Sequence, residues 1–523
     1  MPVSTPESFD YVIVGAGSAG AALAARLTED AQTSVLLLEA GQPDKAQEIH
    51  IPAAFSKLFK GPYDWDYQTV PQPNLGGRSI YWPRGKTLGG SSSLNAMMWV
   101  TGFAADYDRW AELAGPTWSA AEVARLLAKS PVPHQPQRDP RPHTAAFLEA
   151  VGQAGYPVEA ANLPEPQGFT QTEVTQSRGA RISTAAAYLK PAKSRSNLTI
   201  RTGALVARIA FDGTAATGVT LVDGTTISAR REVVLAAGAI NTPQLLLLSG
   251  IGDPTELSRH GIALVAASPE VGKGLRDHLL SAYVVEAGGG TLHAAAGLGQ
   301  VIRYLTGRKG MLTSNVAEAY GFFRSQPSLP LPDLEMIWAP AAYVGEGLIP
   351  SPGHGLTVGP ILLQPKSRGT ISLASADPTA KAVIDPRYLQ DGDDRDVMLR
   401  GLAEARRLLR MPALRNLHTG RTYIVEDVDL EVGRDEEVLA RMAHTLYHPT
   451  STARMGSDAG SVVDPELRVR GVQRLRVADA SVFPEIIRGH THAPAVAVGE
   501  RAAELLRALP AQRAPERRNQ PVP

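Results

Sequence analysis

Three glycines near the start of the chain have the spacing of a phosphate-binding turn. Gly15, Gly17 and Gly20 form Gly-x-Gly-x-x-Gly, and Glu39 follows at about the distance of a ribose-binding acid. The first glycine permits a tight turn, the second lets main chain approach a pyrophosphate, and the third lets helix and strand pack closely. The pattern predicts a bound dinucleotide, with a plain turn at a helix start as the alternative.

The elements that would position this turn flank it in the expected order. Residues 9–14 are apolar and predict a strand, 21–27 predict a helix, and 34–38 predict a second strand that ends at Glu39. Further strands are predicted over 198–208, 232–237 and 475–480, and helices over 243–249 and 495–506. Because these elements occur at the start, middle and end of the chain, we expect an α/β protein with a discontinuous nucleotide-binding domain.

The blocks between these elements carry mixed strands and loops without phosphate-type turns, which indicates a second, substrate-binding domain. We expect the nucleotide-binding domain to comprise 1–155, 197–280 and 446–510, and the substrate-binding domain 156–196 and 281–445. The Pro-rich stretch 130–143 predicts a loop or linker, and the polar, Pro-rich residues 511–523 predict a disordered tail.

Composition excludes several classes of protein and site. The 523 residues include 52 Lys and Arg and 52 Asp and Glu, so the net charge of zero argues against a nucleic-acid partner. The chain has no cysteine, which excludes disulfides, thiolate nucleophiles and Cys-ligated metal sites. No signal-peptide pattern is visible, and the longest apolar stretch, 233–251, contains Asn, Thr-Pro and Gln. We therefore expect a cytoplasmic protein without an integral membrane segment; peripheral contact with a membrane stays open.

Two histidines in alternation, His490 and His492, could chelate a metal from one strand. No cluster that would supply a third ligand is evident in the sequence, so we expect no metal site. Most single histidines in proteins are structural or exposed, and spacing alone does not assign these a role.

A second Gly-rich segment, 82–97, carries a family resemblance together with four later blocks. Residues 82–97 and 238–252 resemble the two signatures of the glucose–methanol–choline (GMC) oxidoreductases. Blocks of the same family follow in order at 271–278, 447–456 and 477–481, so the resemblance extends over about 9–506. Residues 312–318 and 365–369 look most like choline dehydrogenase and medium-chain aliphatic alcohol dehydrogenases.

The resemblance implies a Rossmann-like FAD-binding domain, a sheet-containing substrate-binding domain and FAD as the cofactor. Some relatives attach FAD covalently through a His at the position of Leu94, so the resemblance implies non-covalent FAD here. The residues that the resemblance assigns to FAD are Gly15, Gly17, Ser18, Gly20, Glu39, Ala40, Arg84, Gly89, Gly90, Asn95, Ala96, Met97, Val206, Ala237, Asp479, Ala480, His490 and Pro494.

The family's chemistry places two side chains at the reacting face of the flavin. By resemblance, His448 is one, and His492 takes the second position, where many relatives have Asn. A neutral His suits removal of a hydroxyl proton while the hydride passes to flavin N5. Which histidine is the base stays open. His490 is expected to be a flavin neighbour through its main chain or a packing residue, and His278 and His444 are expected to be structural.

The implied reaction is the oxidation of a primary aliphatic or aryl alcohol to the aldehyde, with O₂ or a quinone as acceptor. Glu318 aligns with a substrate-pocket acid of choline oxidases, with an ordinary ion-paired Glu as the alternative. Choline dehydrogenation is therefore a further reading. Other readings on the same fold are a hydroxynitrile lyase, a photodecarboxylase, which the absence of Cys weakens, and a flavin-binding protein without turnover. The apolar segment 48–59 is expected to cover the site entrance or to pack as a surface helix.

Overall fold

The computed structural model describes residues 7–350, 352–423, 430 and 433–508. The expected tail at 511–523 lies outside these residues. Within them, two large sheets organise the chain, and the predicted α/β class is confirmed. The domain boundaries given above stay a prediction.

A seven-stranded sheet forms the first layer and is built around the predicted βαβ start of the chain. Its central strands are parallel and are buried toward their carboxyl ends, which explains the apolar sequence there. The strands in spatial order are Leu198–Thr202, Val35–Glu39, Ser8–Val14, Thr226–Leu235, Ala215–Leu221 and Val206–Asp212, with Leu475–Val477 beside Thr226–Leu235.

Two helices at opposite ends of the sequence pack against each other on this sheet. Ser18–Leu27 and His492–Arg507 approach so closely that a Cβ on Gly499 would lie 2.4 Å from the carbonyl oxygen of Ala19. Arg26 also donates to the carboxylate of Glu500 across the pair. The C-terminal helix is thereby held beside the first glycine-rich turn.

Several predicted elements have different bounds in the structure. The single strand expected over 198–208 is two strands at opposite edges of the sheet, because the chain turns at Gly203, whose φ is +68°. The strand expected over 475–480 ends at Val477, and the helix expected over 243–249 begins at Gly238. The strand expected over 232–237 is the end of a longer strand, Thr226–Leu235.

An eight-stranded antiparallel sheet forms the second layer. Helix Gly392–Leu409 packs on it with Met398, Leu402 and Leu408 fully buried. The strands in spatial order are His418–Thr422, Tyr283–Ala287, Gly355–Leu362, Leu334–Ala339, Ala319–Phe323 and Phe169–Gln171, with Leu279–Leu280 between Gly355–Leu362 and His444–Thr445.

Shorter elements connect and cover the two sheets. The other α-helices are Gln47–His50, Ala104–Ala114, Ala120–Ala128, Pro142–Gln153, Lys190–Ala192, Gly238–Leu248, Pro254–Arg259, Leu298–Gly307, Pro412–Arg415 and Asp435–Met442. The remaining strands are Tyr67–Gln68, Tyr81–Trp82, Gln135–Pro136, Glu173–Val174, Gln176–Ser177, Ala180–Arg181, Ile251–Gly252, Ala266–Ala267, Lys273–Leu275, Gly369–Ser372 and Val383–Asp385. Among the described residues, none of the helices combines the length and apolarity needed to cross a bilayer.

Candidate active site

A cavity of about 420 Å³ lies where the two sheets meet. One wall is formed at the carboxyl ends of the parallel strands, by residues such as Val14, Leu38 and Ala236. The facing wall includes Ile337 and Thr357 from the eight-stranded sheet. Open α/β sheets bind ligands at this edge, so the position is that of a ligand site.

The first glycine-rich turn forms the narrow end of the cavity. Gly15 has φ +105°, and a Cβ there would lie 2.4 Å from the carbonyl oxygen of Ala236. A Cβ on Gly20 would lie 2.0 Å from the carbonyl oxygen of Gly15, whereas a Cβ on Gly17 would meet no atom within 4 Å. Gly15 and Gly20 are therefore required by the fold, and Gly17 leaves free space that a ligand can fill.

Glu39 closes this end with a carboxylate that is bound by main chain. Its oxygens accept hydrogen bonds from the Ala16 N–H at 3.0 Å and the Gly41 N–H at 2.8 Å. Burial raises the pKa of Glu39 to about 7, although the two N–H groups favour the ionised form. The side chain is thus fixed at the edge of the cavity.

The second glycine-rich segment packs directly on the first. A Cβ on Gly90 would lie 2.7 Å from the Cα of Gly17, so these turns touch through their main chains. Further along, Asn95 accepts hydrogen bonds from the Met97 N–H at 3.0 Å and from Arg181 at 2.7 Å. The polar residues of this segment are therefore held in place before any ligand binds.

Asp479 fixes the opposite side of the turn region. Its carboxylate accepts from the Gly238 N–H at 2.9 Å, the Thr242 hydroxyl at 2.6 Å and the Ser481 N–H at 2.8 Å. It joins the start of helix Gly238–Leu248 to the segment after Leu475–Val477.

Most of the residues that the family resemblance assigned to FAD line this cavity. Gly20, Gly89 and Pro494 do not line it and act in the packing behind it. The assigned residues that line it are Gly15, Gly17, Ser18, Glu39, Ala40, Arg84, Gly90, Asn95, Ala96, Met97, Val206, Ala237, Asp479, Ala480 and His490.

At the wide end of the cavity, three histidines and one carboxylate form a buried cluster. The Nδ1 atoms of His448 and His278 lie 2.9 Å apart, and the ring centroids of His448 and His490 are 4.7 Å apart. His490 Nε2 lies 3.1 Å from Glu335, whose side chain is fully buried. His448 and His490 line the cavity, so the cluster presents two imidazoles to whatever occupies it.

The residue before His278 supports His448 through its main chain. The carboxylate of Asp277 accepts from the His448 N–H at 2.7 Å and from the Thr445 hydroxyl at 2.6 Å. Burial raises the pKa of Asp277 to about 6, while these hydrogen bonds favour its ionised form. One dipeptide therefore holds both the main chain and the ring of His448.

Burial keeps the His448–His278 pair neutral. It lowers the pKa of His278 to about 3 and that of His448 well below its ordinary value, and the electrostatic interaction with His490 lowers both further. Arg84, which also lines the cavity, lowers the pKa of His448 in the same direction. A base that works at neutral pH must be unprotonated before the reaction. The lowered pKa values of His448 and His278 meet this requirement.

The hydrogen bonds of the pair also fix where its protons lie. His278 Nε2 is 3.1 Å from the carbonyl oxygen of Leu363, which can only accept, so Nε2 carries the proton. The Nδ1 of neutral His278 is then an acceptor, and His448 must donate from Nδ1. His448 Nε2 is left with a lone pair, which is the arrangement of a general base.

His492 lines another part of the same cavity, at the start of the C-terminal helix. Its Nδ1 is 3.0 Å from the Ser18 hydroxyl and its ring stands edge-on to Trp99, with centroids 5.5 Å apart. Burial lowers the pKa of His492 to about 4. The expected pairing of His448 with His492 is not what the geometry shows: the residue beside His448 is His490. The helix that begins at His492 directs its ring toward the first glycine-rich turn.

Glu318, in contrast to His492, does not line the cavity. It is fully buried, and its carboxylate accepts from the Arg141 N–H at 2.6 Å and from the hydroxyls of Thr144 at 2.6 Å and Ser314 at 2.7 Å. These contacts fasten the 137–144 loop to the strand Ala319–Phe323. The expected role of Glu318 in the substrate pocket stays a prediction that these contacts do not support, and no described ion pair involves this residue.

Sequence reasoning missed Glu335, His278, Asp277 and Arg181. The first is the single acid of the apolar strand Leu334–Ala339, and an inward-facing acid among apolar residues is the signal that could have found it. Asp277 and His278 stand in one of the family blocks, but nothing local shows that they contact residue 448. Arg181 is fully buried, and no described acidic side chain forms an ion pair with it.

The comparisons with known proteins identify the family of this chain. The family model described as GMC oxidoreductase matches residues 9–280 in its N-terminal part and 365–499 in its C-terminal part. The chain belongs to the GMC oxidoreductase family. The resemblance on which the sequence analysis depended is thereby confirmed.

Relatives of this GMC oxidoreductase cover almost its whole length. An uncharacterised GMC-type oxidoreductase of Mycobacterium tuberculosis is 54% identical, over 95% of this chain and 99% of the relative. An alcohol dehydrogenase [acceptor] of Pseudomonas putida is 39% identical, with 95% of each chain covered. Human mitochondrial choline dehydrogenase is 38% identical, over 97% of this chain and 91% of the relative. A formate oxidase structure superposes with a TM-score of 0.89 at 30% identity, covering 97% and 99% of the two chains.

GMC oxidoreductases bind FAD, and the cavity of this member fits that cofactor. Gly17 leaves open space at the turn, where the start of a helix can receive a diphosphate. His492 Nε2 and Asn315 Oδ1 are buried on the cavity wall without a hydrogen-bond partner, so each can form a hydrogen bond with a polar group of a ligand. The uncompensated charge of Arg181 behind Asn95 complements an anionic ligand. No three described His, Asp or Glu side chains are placed to hold a metal ion.

Proposed function

We propose that this GMC oxidoreductase oxidises a primary, apolar alcohol to its aldehyde with FAD. The observation that carries the proposal is the neutral His448, held with its Nε2 lone pair free at the wide end of the cavity. Bound FAD would supply the acceptor for the hydride of the carbinol carbon, and O₂ or a quinone would take the electrons afterwards. The hydroxyl proton leaves to His448, so the alcohol loses one proton and one hydride.

His448 can take the proton because burial keeps it unprotonated before the reaction and His278 orients its ring through Nδ1. In the resting pair His448 donates to His278 through Nδ1, which orients the ring. After proton transfer the imidazolium keeps that hydrogen bond. A base positioned in this way contributes on the order of 10²- to 10⁴-fold to the rate.

His490 is the second residue at the hydroxyl. Its Nε2 donates to Glu335, at 3.1 Å and 3.3 Å from the two carboxylate oxygens, which fixes the ring beside His448. We propose that His490 orients the alcohol and stabilises negative charge that develops on its oxygen, in place of the role first expected for His492.

The character of the cavity wall favours an apolar substrate. Leu280, Ile337, Leu446 and Val316 line the cavity together with Phe55, which the segment 47–58 contributes. The acidic residues of the wall are Glu39 and Asp479, and both carboxylates are already bound by N–H groups. Without a carboxylate for a quaternary ammonium, the cavity gives no support to choline as the substrate.

The test is anaerobic mixing of the purified holoenzyme with a panel of primary alcohols while flavin absorbance is followed. Bleaching by aliphatic or aryl alcohols, and not by choline or sugars, is the expected result. His448→Gln is the matched control, which should keep its flavin and lose the bleaching. Absence of bleaching by every alcohol, with dithionite still reducing the flavin, would contradict the proposal and favour a lyase or light-driven reaction.

We further propose that the FAD is held without a covalent bond. Leu94 has no nucleophilic atom and is buried among Phe55, Phe59 and Tyr81. Acid precipitation of the holoenzyme should release all the flavin into the supernatant. Flavin that stays with the precipitated protein would contradict this.

A further inference from the structure

Three apolar side chains form a solvent-exposed stripe along the helix Leu298–Gly307. Leu298, Ile302 and Leu305 are 75%, 53% and 71% exposed. Their spacing of four and three residues places them on one face of the helix, while Tyr304 on the other face is buried. Single exposed apolar residues are ordinary, but three in a row along one helix form a patch of the kind that marks an interaction surface.

The charged side chains of the segment that carries this stripe are all of one sign. Arg303, Arg308 and Lys309 are exposed beside it, and from residue 287 to residue 317 the chain has no Asp or Glu. The whole protein has a net charge of zero, so this local excess is a property of the segment. A helix with one apolar face and flanking cations is suited to lie in the interface of an anionic membrane.

The stripe is joined to the wall of the cavity. The Tyr304 hydroxyl donates to the carbonyl oxygen of His50 at 3.3 Å, at the start of the segment 47–58 that supplies Phe55 to the cavity. A second exposed apolar pair, Leu348 and Ile349, follows Gly347, and a Cβ on Gly347 would lie 3.1 Å from Ser56 in the same segment. Two exposed apolar segments thus contact the segment that walls the cavity.

We propose that this face, formed by the stripe Leu298, Ile302 and Leu305 with its neighbouring cations, docks on the surface of an anionic phospholipid bilayer. The apolar side chains enter the headgroup boundary and the cations contact lipid phosphates. Docking brings the segment 47–58 to the membrane, where apolar small molecules concentrate. The binding itself does not depend on the alcohol or the acceptor proposed above.

The test is cosedimentation of the holoenzyme with vesicles of phosphatidylcholine alone or mixed with phosphatidylglycerol. The variant Leu298→Gln/Ile302→Gln/Leu305→Gln removes the stripe and keeps good helix formers. Leu264→Gln/Val222→Gln is the matched control, because both residues are exposed apolar residues outside this face. Binding of the wild type and the control to mixed vesicles is expected, with a loss of at least about tenfold in the stripe variant.

The charge contribution is measured separately. Arg303→Gln/Lys309→Gln should weaken binding to mixed vesicles and reduce its sensitivity to salt, since fewer cations meet the anionic surface. Failure of the wild type to bind mixed vesicles, or equal binding by the stripe variant, would overturn the proposal. A concentration-dependent dimer in gel filtration that the stripe variant abolishes would overturn it in favour of a second copy of the chain. Flavin content of every variant should equal that of the wild type.

Discussion

The two ends of the cavity are specified by the sequence in different ways. The narrow end is built from two glycine-rich turns, in which Gly15, Gly17 and Gly90 let main chain of separate segments come into close contact. The wide end is built from side chains of separate segments: His278 precedes Leu279–Leu280, His448 follows His444–Thr445, and Glu335 lies in Leu334–Ala339. The glycines of the narrow end are therefore recognisable in local turn motifs, although their turns pack over long range, whereas the wide end consists of side chains that meet only after the eight-stranded sheet has formed.

This difference divides the consequences of mutation. At the narrow end, glycines leave space where a ligand must approach or where main chain packs closely. Substitution of such a glycine adds side-chain atoms that fill this space. At the wide end, ionisable groups are buried and mutually dependent, so substitution removes a partner. Changes at the wide end should alter the rate with FAD retained, and changes at the narrow end should alter folding or FAD retention.

The largest effect is expected from His448→Gln, which breaks the wide end alone. Loss of the base should lower kcat by about 10²- to 10⁴-fold. Flavin content and thermal stability should stay close to those of the wild type, because the contacts of the narrow end are untouched. Stopped-flow reduction by a saturating alcohol measures the rate, and an effect below tenfold would rule out His448 as the base.

Glu335→Gln sharpens the role of the buried carboxylate. The substitution keeps the volume and one acceptor oxygen but removes the charge that faces His490. We expect kcat to fall by roughly 10- to 100-fold with a changed pH profile, as for residues that orient a functional histidine. Glu318→Gln is the matched control, since Glu318 is equally buried and lies outside the cavity. Glu318→Gln should leave the pH profile of kcat unchanged even if it lowers the stability of the protein. Identical pH profiles for the wild type, Glu335→Gln and Glu318→Gln would contradict the account.

Two glycines of one motif separate folding from ligand approach at the narrow end. Gly20→Ala places a Cβ 2.0 Å from a main-chain oxygen and should cost about 1–3 kcal/mol of unfolding free energy. Gly17→Ala meets no protein atom within 4 Å and has an ordinary φ of −75°, so stability should change by less than about 0.5 kcal/mol. Its Cβ occupies space left for a ligand, so FAD retention should fall instead. Equal stability losses in the two variants, measured by thermal unfolding of the apoproteins, would refute the distinction.

The two ends should also respond oppositely to pH. The pKa of His278 is about 3 in the folded protein, below the ordinary 6.5, so the unfolded chain binds the proton more readily and stability is lost as pH falls below about 6.5. The pKa of Glu39 is about 7, above the ordinary 4.5, so its contribution is lost as pH rises from about 4.5 through 7. The measurement is the unfolding free energy of the apoprotein as a function of pH. His278→Gln should reduce its dependence on pH below about 6.5, and Glu39→Gln should reduce its dependence on pH between about 4.5 and 7. An unchanged profile in either variant would contradict the assigned shift.

The same division explains what the sequence could predict. The first forty residues contain a strand, a turn, a helix, a second strand and Glu39 in that order. Apolar periodicity and glycine spacing predicted each of them, including Gly17 as the glycine that faces a ligand. The break of 198–208 into strands at opposite sheet edges was missed because apolar pattern does not record edge position. The pairing of His448 with His490 was missed for a related reason. Residues 490 and 492 differ by two positions, and the direction of each ring depends on where the C-terminal helix begins.

The most direct test compares His490→Gln with His492→Gln in anaerobic flavin reduction by a saturating alcohol, using protein fully loaded with FAD. The account predicts that His490→Gln slows reduction by roughly 10²-fold or more. It predicts that loaded His492→Gln reduces within about tenfold of the wild type and loses FAD more easily, because its ring bonds Ser18 in the glycine-rich turn. Slow reduction in His492→Gln with a near-normal rate in His490→Gln would contradict the account and restore His492 as the partner of His448.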